Sequence, residues 1–214
     1  MSMKSFFITG TDTDCGKTYV TCALLNWLKT QHYQARALKP VATGTKFVKG
    51  RRTNDDIEQL MQANHDTTEI IHQSLFDEPV SPHLAAKLAG RMICMDEIIR
   101  FCQSFTPVDY QFIEGAGGML VPLNEQETWL DFVQKMQIPI ILVVGIRLGC
   151  INHALLTDSL FKQYKLNCRG WIANCIDKQT LYQHDIINTL KNKMNSAFLT
   201  KIEYYGMIEH FNLP

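Results

Sequence analysis

Short runs rich in β-branched and aromatic residues alternate along the chain with stretches whose apolar positions recur at helical spacing. Ser5 to Thr9 reads as a strand, followed by a Gly-rich turn and a helix from about Lys17 to Lys29. In that helix Val20, Ala23, Leu24, Trp27 and Leu28 fall at i, i+3, i+4, i+7 and i+8, which places them on one buried face. Ala35 to Leu38 reads as a second strand, closed by Lys39-Pro40. A polar loop from Thr43 to Asn54 leads to a short helix with Ile57, Leu60 and Met61 on one side. Residues 65–82 show no clear period. Pro79 and Pro82 mark loop boundaries there, and Pro82 suits the first position of a helix from about Ser81 to Leu88.

Met95, Ile98, Ile99 and Cys102 repeat the helical period, Asp109 to Glu114 reads as a strand, and Trp129, Phe132, Val133 and Met136 make another helical face. Ile138 to Gly145 is apolar on both sides, as a central strand of a helix-covered parallel sheet requires. Ile151 to Tyr164 then reads as helix, Gly170 to Asn174 as strand, and Thr180 to Met194 as helix with Ile186, Leu190 and Met194 aligned. Ala197 to Ile202 is a last strand. This alternation predicts an α/β fold, a single doubly wound and mostly parallel sheet with helices on both faces. No internal repeat, low-complexity tract or long linker divides the chain, so residues 1–214 are read as one domain.

Composition narrows the class. A chain of 214 residues buries roughly 70% of its extended-chain surface on folding, so it needs no metal or disulfide staple. Lys plus Arg and Asp plus Glu number 21 each. Without a basic excess, neither nucleic acid nor a membrane surface is an expected partner. The seven cysteines contain no C-x-x-C pair, which fits neither a zinc site nor a closed disulfide framework. They read as reduced thiols of a cytoplasmic protein. The longest apolar run, Ile138 to Ile146, is interrupted by Pro139 and Gly145 and is less than half the ~20 residues a spanning helix needs. The opening MSMKSFFITG resembles no secretory signal.

In a doubly wound sheet, ligands gather at the carboxyl ends of the strands, so the loops after residues 9, 38, 114, 144 and 174 are where chemistry is expected. Gly10 to Thr18, GTDTDCGKT, lies between a strand and a helix. Its backbone N–H groups and the helix N-terminus can cradle phosphate oxygens, Lys17 can reach the outer phosphates, and the Thr18 hydroxyl can ligate Mg²⁺. Thr11 occupies the usual first-glycine place, and the competing reading is a Gly-rich turn with a solvated lysine. Glu114 ends a strand and precedes Gly115, Ala116, Gly117 and Gly118, whose small side chains let a ligand approach the backbone. Asp55 and Asp56 follow the polar loop at a helix start, where Asp55 is equally suited to capping that helix. Lys39 sits at the carboxyl end of the second strand, and beside Lys17 it favours a substrate whose reacting group is anionic. Thr43 can donate a hydrogen bond there or serve only in a turn.

The segments ITGTDTDCGKT, LKPVATG, EPVSPH, IEGAGGMLVPL, ILVVGIRLGCINHALLT and GWIAN, in this order from about residue 5 to 177, resemble those of the dethiobiotin synthetase family, whose fold is P-loop NTPase-like. The resemblance implies that CO₂ and 7,8-diaminopelargonate are joined with ATP hydrolysis to form the cyclic urea of dethiobiotin in biotin biosynthesis. It further implies a Mg²⁺ requirement and a homodimer. Carried over by position, it makes Lys17 and Lys39 the catalytic lysines. Asp14, Cys15, Gly16, Lys17, Thr18 and Tyr19 become the ATP phosphate site, with Asp56, Glu114, Gly115, Ala116 and Gly117 around it. Thr18, Asp56 and Glu114 become the metal-side groups, and Asn174 with Cys175 becomes the adenine edge. Thr13 and Thr43 become substrate contacts, while Leu148, Gly149, Cys150 and Asn152 hold the substrate's carboxylate tail across the dimer interface.

Three places depart from the family pattern. Cys15 stands where Val is usual, either as a small packed side chain or as a thiol whose pKa the helix N-terminus lowers. Arg147 replaces Lys, which keeps the charge and changes its geometry. Lys201, Ile202 and Glu203 occupy the expected Gly-x-Pro, which bears on base recognition. The alternative reading is a nucleotide-switch, partition-type ATPase of the same fold. Such proteins carry an extra lysine where this chain has Thr11.

Overall fold

In the computed structural model, which describes residues 3–48, 50–64, 70–209 and 211, strand β1 (Lys4–Gly10) lies inside a six-stranded sheet. Parallel to it run β7 (Tyr110–Gly118) on one side and β8 (Ile140–Gly145) on the other. Beyond β7 lies β2 (Ala35–Leu38), and beyond β8 lie β9 (Cys168–Asn174) and β10 (Phe198–Ile202). The order is therefore β10-β9-β8-β1-β7-β2. Parallel neighbours need crossovers over a face of the sheet, and the helices between them supply these. After β1 the chain winds outward through α1 (Lys17–Thr30) to β2, returns to β7, and then crosses to β8 on the other side of β1. The winding reverses at β1, and a crevice opens at that point, outside the carboxyl ends of the strands.

Every residue of β8 is buried, as its run of apolar residues on both sides predicts. Helix α5 (Trp129–Met136) sits on β1, with the Phe7 ring 5.4 Å from Trp129 and 5.6 Å from Phe132. Gly115 has to be glycine here, because a Cβ on it would lie 2.7 Å from the Phe7 ring. The buried face of α1 includes Val20, Leu24 and Leu28. Each such side chain contributes about 1.5–3 kcal/mol by leaving water.

Helices α3 (Pro82–Leu88), with Pro82 in its first turn, α4 (Met95–Gln103) and α6 (Cys150–Gln163) match the periodic segments. Helix α7 (Gln183–Lys193) begins three residues later than the period indicates, because Tyr182 is left-handed at φ 56°. The stretch from Thr43 to Asn54 is not a plain loop. Strands β4 (Lys46–Val48) and β5 (Arg51–Thr53) pair as an antiparallel hairpin, with Phe47 opposite Arg52. Two further short strands, β3 (Val41–Thr43) and β6 (Ser74–Phe76), pair in parallel beside the main sheet. Part of the stretch without clear period, residues 65–69, lies outside the described residues. Among the described residues no helix is long and apolar enough to cross a membrane, and all seven cysteines are unpaired.

Candidate active site

The loop from Gly10 to Thr18 turns the chain from β1 into α1. Gly16 at φ 84° caps the helix, a left-handed conformation that glycine adopts without steric cost. The loop is held from below. The Thr11 N–H donates to the Val143 carbonyl at 3.2 Å, and the Asn174 side-chain amide donates to the Cys15 carbonyl at 3.0 Å. Cys15 is fully buried under the loop. Burial pushes its thiol above the ordinary range despite the nearby Lys17 ammonium, which favours the packing reading over a thiol with lowered pKa. Lys17 curls back over the loop, its Nζ donating to the Asp12 carbonyl at 3.0 Å. The Asp12 carboxylate is ion-paired with Arg147, at the turn from β8 into α6, and lies 3.9 Å from His153 Nδ1.

Lys39 follows the last residue of β2, and its N–H is anchored to the Ile71 carbonyl at 2.9 Å. Its ammonium is buried, donating to Glu114 Oε1 at 2.7 Å and to Asp56 Oδ2 at 2.8 Å. Burial alone would pull this lysine down, but the Glu114 and Asp56 charges outweigh it and hold its pKa above the usual lysine value. The Thr18 hydroxyl donates to the same Glu114 Oε1 at 2.7 Å, and the Thr21 hydroxyl lies 2.9 Å from Oε2. Glu114 is 0% exposed. Burial would likewise raise the Asp56 carboxyl, yet Lys39, Thr18 and Lys17 together keep it below the usual carboxylate range.

The choice between Asp55 and Asp56 follows from local geometry. Asn54, not Asp55, caps α2 (Asp55–Ala63), its side-chain oxygen accepting from the Ile57 N–H at 2.9 Å. That sets the helix phase so that Asp55, its side chain 74% exposed, pairs outward with Lys46, while Asp56 turns inward to Lys39.

A cleft of about 710 Å³ opens over these groups. Thr13, Asp14, Gly16, Lys17, Thr18, Tyr19, Lys39, Thr43, Asp56, Ala116 and Gly117 all line it. Glu114 stands behind Lys39, Gly115 faces the core, Asn174 is buried behind the loop, and Cys175 is buried beside the end of β10, where burial pushes its thiol up to about 11. Leu148, Gly149, Cys150 and Asn152 are not brought to this cleft. They begin α6, with Gly149 left-handed at φ 88° and Leu148 99% exposed. Their connection to the cleft runs through the Arg147–Asp12 pair. Sequence reasoning missed Thr21 and Asp12. Thr21 had one available signal, its position four residues after Lys17 on the helix face that must look toward β7.

The donor set fits a hard divalent cation. Thr18, Asp56 and Glu114 offer a hydroxyl and two carboxylates in one network, and Mg²⁺ is usually held by one or two carboxylates together with substrate phosphates and water.

A family model described as an AAA domain matches residues 4–211. The protein named ATP-dependent dethiobiotin synthetase BioD from Legionella pneumophila (strain Lens) is 45% identical over 208 residues, 96% of each chain. The protein of that name from Baumannia cicadellinicola is 38% identical, covering 96% of this chain and 92% of its own. That from Yersinia pestis bv. Antiqua is 39% identical, covering 96% and 87%. Among solved structures, a ParA family ATPase from Chlorobium tepidum superposes with a TM-score of 0.54 at 15% identity, over 94% of this chain and 84% of that one. The MinC:MinD cell division complex of Aquifex aeolicus gives 0.53 at 12%, over 94% and 81%. At those identities the likeness is one of fold alone. Sequence identity along nearly the whole chain, joined to a phosphate loop and buried lysine in one cleft, means that this chain belongs to the ATP-dependent dethiobiotin synthetase family.

Proposed function

We infer that the chain is an ATP-dependent ligase of biotin biosynthesis, which carboxylates 7,8-diaminopelargonate with CO₂ and closes the cyclic urea of dethiobiotin, releasing ADP and phosphate. The observation that carries this reading is the convergence of Lys39, Asp56, Glu114 and Thr18, from four separate elements, beside the phosphate loop. One amine of the substrate adds CO₂ to give a carbamate, whose oxygen attacks the γ-phosphorus of ATP. The second amine then attacks the resulting carbamic-phosphoric anhydride, closing the ring and expelling phosphate. No protein nucleophile is needed.

In this reading the loop Asp14 to Thr18 binds the phosphates through backbone N–H groups at the start of α1. Lys17 exchanges the Asp12 carbonyl for a phosphate oxygen. Lys39 meets the charge gathering at the carbamate and the transferring group. Thr18, Asp56 and Glu114 would hold Mg²⁺, which would supply charge neutralisation at the phosphate oxygens. Thr13 and Thr43, both lining the cleft, orient the diamine, and Asn174 with Cys175 marks the side of the loop where the base lies. Fixing the second amine near the anhydride gives the largest gain, since effective molarities of ~10⁵ M or more are available to well-oriented intramolecular steps.

Leu148, Gly149, Cys150 and Asn152 complete the substrate site in a homodimer, the start of α6 in one copy receiving the carboxylate tail of a diamine bound in the other. Their distance from the cleft lining and the exposure of Leu148 and Leu156 on α6 support this arrangement. The test is incubation with ATP, ¹³C-bicarbonate and diaminopelargonate, followed by mass analysis. Dethiobiotin carrying one ¹³C with stoichiometric ADP is expected; ADP release without a cyclic urea would overturn the assignment.

A further inference from the structure

Both oxygens of Glu114 are already engaged. Its Oε1 accepts from Lys39 and Thr18, its Oε2 faces Thr21, and no solvent reaches it. Two of the oxygens offered to a divalent cation, Glu114 Oε1 and Asp56 Oδ2, are already bridged by the Lys39 ammonium at 2.7 and 2.8 Å. Mg²⁺ lies ~2.0–2.1 Å from its oxygen ligands. A cation drawn to those two atoms would share them with the ammonium, placing two like charges on one pair of oxygens.

A cation is best admitted when one of the donors on Glu114 withdraws and frees the lone pair it holds. Thr21 is fixed within α1, and the Thr18 hydroxyl can rotate to present a lone pair without moving its carbon frame. Lys39 is the group able to withdraw. It has a flexible four-carbon stem, and it already lines the cleft into which it would turn. The Asp56 side chain, 41% exposed, gives the incoming ion a route from solvent.

We propose that the Lys39 ammonium and the divalent cation are alternative occupants of one place. The ammonium keeps the two carboxylates together, and Lys39 would turn toward the substrate when a cation takes its place. The proposal rests on the assignment of Thr18, Asp56 and Glu114 given above. It orders the events: the lysine becomes available to an anionic substrate only once the metal has taken its partners, so an unloaded site holds no loose cation to capture stray anions. A lysine that merely organised the carboxylates for the metal would have the opposite effect on metal affinity.

The experiment is a titration with Mn²⁺ alone, without nucleotide, following the free ion by electron paramagnetic resonance. Lys39→Met, close in shape and uncharged, is expected to bind Mn²⁺ on the order of tenfold tighter than the unaltered chain, because no like charge has to be displaced. Asp56→Asn is expected to bind it more weakly. In a crystal of the unaltered protein soaked with Mn²⁺, Lys39 Nζ is expected beyond about 4 Å, the ion-pair limit, from both carboxylates. Equal or weaker Mn²⁺ binding by Lys39→Met overturns the proposal, as does a cooperatively melting variant that binds none. If that variant does not fold, the soaked crystal decides, and an ammonium still bridging the carboxylates beside a bound ion refutes the exclusion. Product analysis stands apart from these measurements. Dethiobiotin formed without exclusion refutes the proposal alone, and exclusion without dethiobiotin refutes the activity alone.

Discussion

Replacing Thr21 with valine removes one oxygen from the site and little else. Thr21 is buried in α1, with its Oγ1 2.9 Å from the Lys17 carbonyl and 2.9 Å from Glu114 Oε2. One hydroxyl proton serves one acceptor at a time, and a carboxylate is the stronger of the two. Among the described residues no other donor reaches Oε2, so valine strands that oxygen in a place water does not enter. Hydrogen bonds to charged groups contribute about 1.5–3 kcal/mol. A loss of about 2 kcal/mol lowers Tm by about 4–8 °C for a chain of this size. Thermal unfolding followed by circular dichroism measures it, with Thr21→Ser as the control. Serine keeps the hydroxyl and gives up one methyl, about 0.8 kcal/mol, so its Tm should lie well above that of the valine variant. The turnover lost by Thr21→Val should largely return in Thr21→Ser. A valine variant as stable as the unaltered chain, or a serine variant below it, would refute the claim that Thr21 holds Glu114.

Lys39→Ala should lower turnover on the order of 10²-fold or more, by analogy with removing one anion-stabilising donor; near-normal dethiobiotin formation would take Lys39 out of the mechanism. Arg147→Met breaks a part-exposed pair with Asp12. Such pairs contribute ~0–1 kcal/mol, so Tm should hardly move while KM for ATP rises severalfold as the phosphate loop loses its tether; a large Tm drop with unchanged KM would contradict this. Asp158 is a structural counterpart elsewhere, accepting from Asn195 N–H at 2.7 Å and Nδ2 at 2.8 Å and from Ser196 N–H at 3.0 Å. Burial would raise this carboxyl, but the donors of Ser196 and Asn195 outweigh it and hold its pKa below the usual range. The stability it adds is therefore full above its unfolded value of about 3.9 and is lost as pH falls through the folded value. Asp158→Asn should cost about 2 kcal/mol near neutral pH, with the gap to the unaltered chain closing below about pH 4 in denaturant titrations.

Legibility varied with how much of each feature was local. The period of α1 and the apolar run of β8 named both elements, because each buries a face or a whole strand that only one geometry can hide. The β4–β5 hairpin was read as loop, since its strands span three residues each and half their positions are charged. Strand β7 continues past Glu114 to Gly118, which pairs with Gly10, and its glycines give no side-chain pattern to read. Adjacent Asp55 and Asp56 looked equivalent until Asn54, by capping the helix, assigned one to solvent and the other to Lys39.

The amino-acid string by itself determined the order of the six main-sheet strands and of the helices along the chain, the phosphate loop and the family, since propensity, periodicity and motif spacing are properties of neighbouring residues. The tertiary structure alone decided that Thr18 meets Glu114 across 96 positions and Lys39 meets it across 75, and that Thr21 and Asp12 join the site. Those meetings depend on which strands lie side by side and in what register. Sheet order is chosen by the burial of whole faces against one another, a sum over the entire chain that no single segment carries.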